Sequence, residues 1–207
     1  FNEEEAKQLL QHYGYELTEE VKRMYDGYIF GNQEIYNPWS ILNYVEDGQL
    51  YPYWVNTSAD ELLRQLFEGT REETADMLEN LILGESIEIE YNEKITFLDL
   101  EAAKSRNAKN VIGNFLLFSG YLTKATHEGI QANKYIQAKI PNNEVRSVYV
   151  DIISRWETEY ADMEPQKFIE LSRAIEGEDK EKMENILNQA LQSMSFMDEH
   201  ENFYHGY

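Results

Sequence analysis

The run Tyr25-Asp26-Gly27-Tyr28-Ile29-Phe30-Gly31, followed by Tyr36-Asn37-Pro38-Trp39-Ser40, constrains the fold more than any other stretch of this chain. Aromatic rings, glycines and a proline are too dense there for a solvated loop. One helical pattern ends where the run begins and another starts where it stops. Such a stretch reads as a structural corner, in which rings pack together and Gly supplies backbone with positive φ. Stacking of a ligand on the rings is the competing reading; the structural one is expected.

Short helices flank the corner. Asn2 with Glu5 makes a capping box ahead of Leu9, Leu10 and Tyr13, with Gly14 as terminator. Thr18 caps a second helix through Val21, Met24 and Tyr25, which Gly27 stops. Tyr28 to Phe30 and Glu34 to Tyr36 are predicted strands about a Gly31-Asn32 turn. Pro38 suits the first turn of a helix that places Ile41, Leu42 and Val45 inside. Ser58/Glu61 and Thr70/Glu73 are two further capping boxes, opening helices through Leu62, Leu63, Leu66 and Phe67, then Leu78, Leu81 and Ile82. Ile87, Ile89 and Tyr91 alternate with acidic residues, the period of a strand.

Beyond residue 99, Val111, Ile112, Phe115, Leu116 and Ser119 form an apolar helical stripe closed by Gly120. Tyr121 to Lys124 and Lys134 to Ile140 follow as strand-like runs, and Asn142 or Asn143 caps a helix through Val145, Val148, Tyr149, Ile152, Ile153 and Trp156. Helix, hairpin, helix is the order of a winged-helix module. Two more helical patterns run through Phe168, Leu171 and Ile175, then Met183, Ile186, Leu187, Ala190 and Leu191, parted by Gly177. The expected fold is mainly α with small β-hairpins: a helical lid-like region (1–98), a winged-helix-like module (99–160) and C-terminal helices (161–207).

Chemistry is sparse. There is no cysteine, which removes disulfides, thiolate nucleophiles and thiolate zinc sites. No G-x-x-x-x-G-K-[ST] and no G-x-G-x-x-G occurs, and the 11 glycines are scattered rather than clustered around a phosphate. His200 and His205 lie five apart, which on a helix rotates the rings apart by roughly 140° and spoils a zinc pair. Glu88/Glu90, Glu3-Glu4-Glu5 and Asp198/Glu199/Glu201 read as solvated faces and helix N-termini rather than acid/base pairs. No catalytic, cofactor-binding or metal-ligating residue is assigned. With no basic apolar leader and no long apolar stretch, a cytoplasmic protein without membrane contact is expected.

Charge gives the one functional hint. The net charge is −21, against broad nucleic-acid or anionic-membrane binding. Between Ala102 and Tyr149, however, seven basic residues (Lys104, Arg106, Lys109, Lys124, Lys134, Lys139, Arg146) face two acidic ones (Glu128, Glu144), a local net of +5 that leaves −26 elsewhere. A basic island on a winged-helix-like segment is how such modules meet duplex DNA. Pairing of these residues with acidic neighbours is the alternative.

The segments YDGYIFGNQEIYNPWSILNY, YWVNTSADELL, LLFSGYLT and KIPNNEVRSVY, in this order, resemble a bacterial family of AAA-ATPase-like proteins with a C-terminal PD-(D/E)XK nuclease-like domain. The resemblance implies that this chain is the region between the two active centres: lid, winged-helix-like module and linker. Phe1 to Ala6 resembles the helix after the ATPase core, and Glu201 to Gly206 the opening helix of the nuclease-like domain. The start at Phe1 without an initiator methionine fits a segment of a longer protein. The family's ATP- and Mg²⁺-binding residues would lie outside this chain, so it carries neither catalytic apparatus. Its implied partners are the flanking ATPase and nuclease-like domains, with duplex DNA through the basic island. A protein-interaction scaffold that never touches nucleic acid is the rival expectation, and the oligomeric state is left open.

Overall fold

The structure is a computed structural model that describes residues 1–54, 63, 66–67, 71–96, 99, 108–126, 134–160, 169–171, 173–174, 177 and 179–189. It is mainly α with two small antiparallel sheets. The chain separates into two units, Phe1–Val148 and Tyr149–Tyr207.

The first unit opens with α1 (Glu3–His12) and α2 (Glu19–Tyr25). Both arms of the expected capping box on α1 form: Asn2 Oδ1 accepts from the Glu5 N–H at 2.9 Å, and a Glu5 carboxylate oxygen accepts from the Asn2 N–H at 3.0 Å. Thr18 caps α2 through the Val21 N–H. Strands β1 (Tyr28–Phe30) and β2 (Gln33–Ile35) pair as a hairpin, Tyr28 opposite Ile35. Helix α3 (Pro38–Asp47) follows, with Asn37 as N-cap, Pro38 in the first turn and left-handed Gly48 as C-cap. Ala6, Leu10, Val21, Tyr25, Tyr36 and Ile41 form the core between these elements. Two expected inward residues face solvent instead: Tyr13 terminates α1, and Leu42 lies on the outer side of α3. The buried residues of α1 are Ala6 and Leu10.

The rest of the unit is built around a second sheet. Helix α4 (Arg71–Ile82) buries Met77, Leu78, Leu81 and Ile82. Strand β3 (Ile87–Glu90) buries Ile87 and Ile89 and exposes Glu88 and Glu90, as the alternation predicts. Helix α5 (Ala108–Phe118) buries Ile112, Gly113, Asn114 and Leu116, and leads into β4 (Thr123–Lys124) and β5 (Tyr135–Lys139). The sheet order is β3-β5-β4, all antiparallel, with Ile89 opposite Ile136 and Thr123 opposite Lys139. Strand β3 comes from the stretch expected to be lid, so the ladder crosses the anticipated boundary at 98/99. Helix and sheet approach closely at Gly113, where a Cβ would sit 2.6 Å from Ile89 Cγ2. Only glycine allows that spacing.

Side chains tie both outer strands of this sheet to their surroundings. Along β3, Asn110 Oδ1 accepts from the Glu90 N–H, while Asn114 accepts from the Asn92 N–H and donates to the Glu90 carbonyl. On the other edge, Thr123 Oγ1 accepts from the Ile29 N–H of β1 at 2.9 Å. Edge backbone groups left unpaired would template further strands, and these side chains satisfy part of that demand.

Helix α6 (Asn143–Tyr160) carries the chain across the division into the second unit. In that unit Leu171, Ala174, Met183, Ile186 and Leu187 are buried, and Asp179 caps the helical residues 180–189 by accepting from the Lys182 N–H. The Ser58/Glu61 and Thr70/Glu73 boxes, Leu62, Phe168, Ile175, Ala190, Leu191 and the paired histidines 200 and 205 lie outside what is described, as do the side chains of Ile153 and Trp156. No helix among the described residues is long and apolar enough to cross a membrane.

Candidate functional site

The aromatic run folds as a joint. It fastens the α1–α3 region to the segment 120–145, within the first unit. Gly27 has φ +101°, and a Cβ there would collide with the Pro141 carbonyl. This close backbone approach brings in the start of α6. Asn142 settles which asparagine caps that helix: its Oδ1 accepts from the Val145 N–H at 3.0 Å, while its Nδ2 donates to the Asp26 carbonyl at 2.9 Å. Tyr28 OH donates to the Gly120 carbonyl, and the Trp54 and Tyr121 rings lie 5.1 Å apart.

Glu144 anchors the joint. Its side chain is fully buried, the Ser40 hydroxyl lies 2.9 and 2.7 Å from its two oxygens, and the Trp54 N–H donates to it at 2.8 Å. Burial pushes its pKa up, against the opposing pull of the Trp54 N–H, the Ser40 hydroxyl and the Tyr53 N–H. A buried carboxylate is costly unless such donors meet it. Sequence reading counted Glu144 only as an acid within a basic island. The signal for its true role, a serine more than a hundred residues upstream, has no local pattern.

Two tyrosines of the run differ in their hydroxyl environment. Tyr25 OH donates to the Tyr51 carbonyl at 2.9 Å and accepts from the Tyr51 N–H at 3.1 Å. Tyr36 OH and Asp26 Oδ1 are buried without a well-formed hydrogen bond. Burial, then the nearby Asp26 charge, drives the Tyr36 phenol far above its ordinary range.

The basic residues proposed for DNA contact are spread over several elements. Lys104 and Arg106 lie outside the described residues. Lys109 is exposed in the first turn of α5, and Lys134 is exposed just before β5. Lys124 and Lys139 meet at one end of the β4–β5 pairing but occupy successive register positions, hence opposite faces. Lys134 is about 16 Å away at the far end of β5. Arg146 turns inward: its Nε is buried, and its Nη2 lies 3.4 Å from where a Cβ on Gly84 would stand. Glu88 and Glu90 share the exposed sheet face with Gln137 and Tyr135. The described lysines are thus spread over several elements and faces rather than gathered into one stripe.

Among the described residues, no group of three or more His, Asp or Glu is arranged to hold a metal ion. Four large rings, Phe30, Trp39, Tyr51 and Phe118, are each at least half exposed. Comparison of the chain with family models, curated proteins and solved structures finds no match.

Proposed function

We propose that this chain is a non-catalytic coupling region of an AAA-ATPase-like protein with a nuclease-like C-terminal domain, transmitting movement between flanking domains. The buried joint carries this reading. Hydrogen bonds linking Ser40 and Trp54 to Glu144, Asp26 to Asn142 and Ile29 to Thr123 span roughly ninety to more than a hundred residues of sequence. Bonds of that separation, each buried or partly buried, support a lever rather than a pair of loosely tethered modules. ATP and Mg²⁺ belong to the flanking domains in this reading, and the location is cytoplasmic.

The module on this lever is winged-helix-like in its order of elements. Helix α4, strand β3, helix α5 and the β4–β5 pair follow one another, with β5 central in the sheet. On that reading the module begins near Arg71. Its solvent side favours protein over nucleic acid: α5 ends in the exposed Phe118, and Glu88 and Glu90 line the sheet.

The coding sequence around this segment tests the coupling reading. A G-x-x-x-x-G-K-[ST] upstream with an Asp…Glu-x-Lys downstream is expected, and a frame with neither overturns it. Duplex DNA contact is the second reading, favoured by Lys109, Lys124 and Lys134. Anisotropy titrations of labelled duplex at stepped salt decide it. True contact gives a log–log slope of roughly −0.9 per phosphate engaged, flattened by alanine at Lys104, Lys109, Lys124 and Lys134. Absence of salt-dependent binding at low ionic strength removes DNA and leaves the scaffold.

A further inference from the structure

Helix α3 is charged the wrong way round. Negative side chains stabilise a helix N-terminus and positive ones its C-terminus. Helix α1 obeys this rule with Glu3, Glu4 and Glu5 at its start and His12 at its end, and α2 obeys it with Glu19 and Glu20, then Lys22 and Arg23. In α3 the first turn has no acid and the last turn no base; instead the helix closes on Glu46 and Asp47. Both are exposed, and no Lys, Arg or His occurs between Arg23 and Arg64, a stretch holding six acidic residues. Helices α4, α5 and α6 also lack a base in the last turn, so what marks α3 is the company its two terminal acids keep with exposed rings.

The outer side of the same helix carries two large apolar residues, opposite the face that buries Ile41. Trp39 is 59 % and Leu42 48 % exposed, and Glu46 continues their line one turn further on. These groups are held in place before any partner arrives. Trp39 Nε1 donates to the Tyr53 carbonyl at 3.3 Å, and the Tyr53 ring lies 5.7 Å from that of Tyr51, which is 52 % exposed on backbone locked by Tyr25. Asp47 borders the cluster closely enough to help raise the Tyr53 phenol, whose pKa burial pushes up to about 12.

We propose that the α3 face of Trp39, Leu42 and Glu46, with Tyr51 beside it, is a docking site for an arginine-rich polypeptide segment bearing an apolar anchor. Guanidinium groups stack on Trp and Tyr faces and pair with carboxylates. The negative end of the α3 dipole, reinforced by Glu46 and Asp47, attracts the same charge. Pre-positioned aromatic anchors lower the ordering cost of binding. An anionic membrane or nucleic acid is repelled by this face.

The test uses the whole chain and a fluorescein-labelled amphipathic helix with one Leu face and one Arg face, followed by anisotropy. Trp39→Ala, Leu42→Ser and Glu46→Lys are each expected to weaken binding roughly tenfold. Asp76→Lys, the same charge change on the exposed side of α4, is expected to leave it nearly unchanged. Trp39→Ala also removes the hydrogen bond to the Tyr53 carbonyl, so the losses in Leu42→Ser and Glu46→Lys, which leave that bond in place, are the ones that tie the effect to the face. Equal affinity of all variants makes the attraction general acidity and overturns the site. Absence of binding overturns it as well. A concentration-dependent dimer that Leu42→Ser dissociates, and that the peptide fails to displace, assigns the face to a second copy instead.

Discussion

Tyr25 and Tyr36 are both fully buried, yet their hydroxyls stand in opposite situations. Tyr25 OH both donates and accepts with Tyr51, while Tyr36 OH and Asp26 Oδ1 are buried near one another without a well-formed hydrogen bond. A poorly paired buried hydroxyl recovers little of the water it gave up, so deleting it costs little; deleting a well-paired one strands its partner. Tyr36→Phe is therefore expected to change stability by less than Tyr25→Phe, which is expected to lower it by about 1–2 kcal/mol. Urea unfolding midpoints at neutral pH compare the two directly. If Tyr36→Phe loses as much as Tyr25→Phe, the Tyr36 hydroxyl is bonded to Asp26 and this account is wrong. The contrast matters because the two tyrosines bracket the corner: one holds the chain leading to Trp54, the other sits beside the N-terminal residue, whose carbonyl accepts from the Tyr36 N–H.

At the scale of elements, α3 and α6 meet through Glu144, and that contact makes the joint sensitive to pH. Burial raises the Glu144 pKa in the folded chain, so the native state holds this proton more tightly than the unfolded chain does. The stabilisation from this group is complete below the ordinary carboxyl value near 4.5 and is lost as pH rises through the elevated folded value. Glu144→Gln keeps an acceptor for the Ser40 hydroxyl or the Trp54 N–H but does not titrate. The stability difference between wild type and Glu144→Gln is expected to favour wild type most at low pH and to shrink as pH climbs past 4.5. Denaturant melts across that range check it, and a difference that grows with pH sinks the assignment. The elements themselves were legible: the caps at Asn2 and Thr18, Pro38 in the first turn of its helix and the Ile87–Ile89 alternation are local signals, and local physics decides them. Leu42 and Tyr13 were misplaced because helical spacing says which residues share a face and not which face the neighbours leave open. The pairing of β3 with β5, and Glu144 with Ser40, were invisible because both depend on contacts far apart in sequence.

For the molecule as a whole, the question is whether residues 1–148 move as one body. The long-range hydrogen bonds of the joint are few, but each is buried or partly buried, and an orphaned donor in such a place costs about 1–3 kcal/mol. Glu144→Ala orphans two, the Ser40 hydroxyl and the Trp54 N–H. If the unit opens cooperatively, that loss is shared by amides Glu144 never touches, because native-state opening proceeds in contiguous cooperative blocks. Ile29, bonded to Thr123, and Ala138, in the β3–β5 ladder, report from the two sides of the joint. Hydrogen exchange of both is expected to quicken by at least about tenfold in Glu144→Ala, the equivalent of about 1.4 kcal/mol, alongside Trp54 itself. Acceleration confined to Trp54 and the first turn of α6 would mean that the two halves open independently. A coupling region built that way could not carry a displacement from one flanking domain to the other, and the lever reading would fall with it.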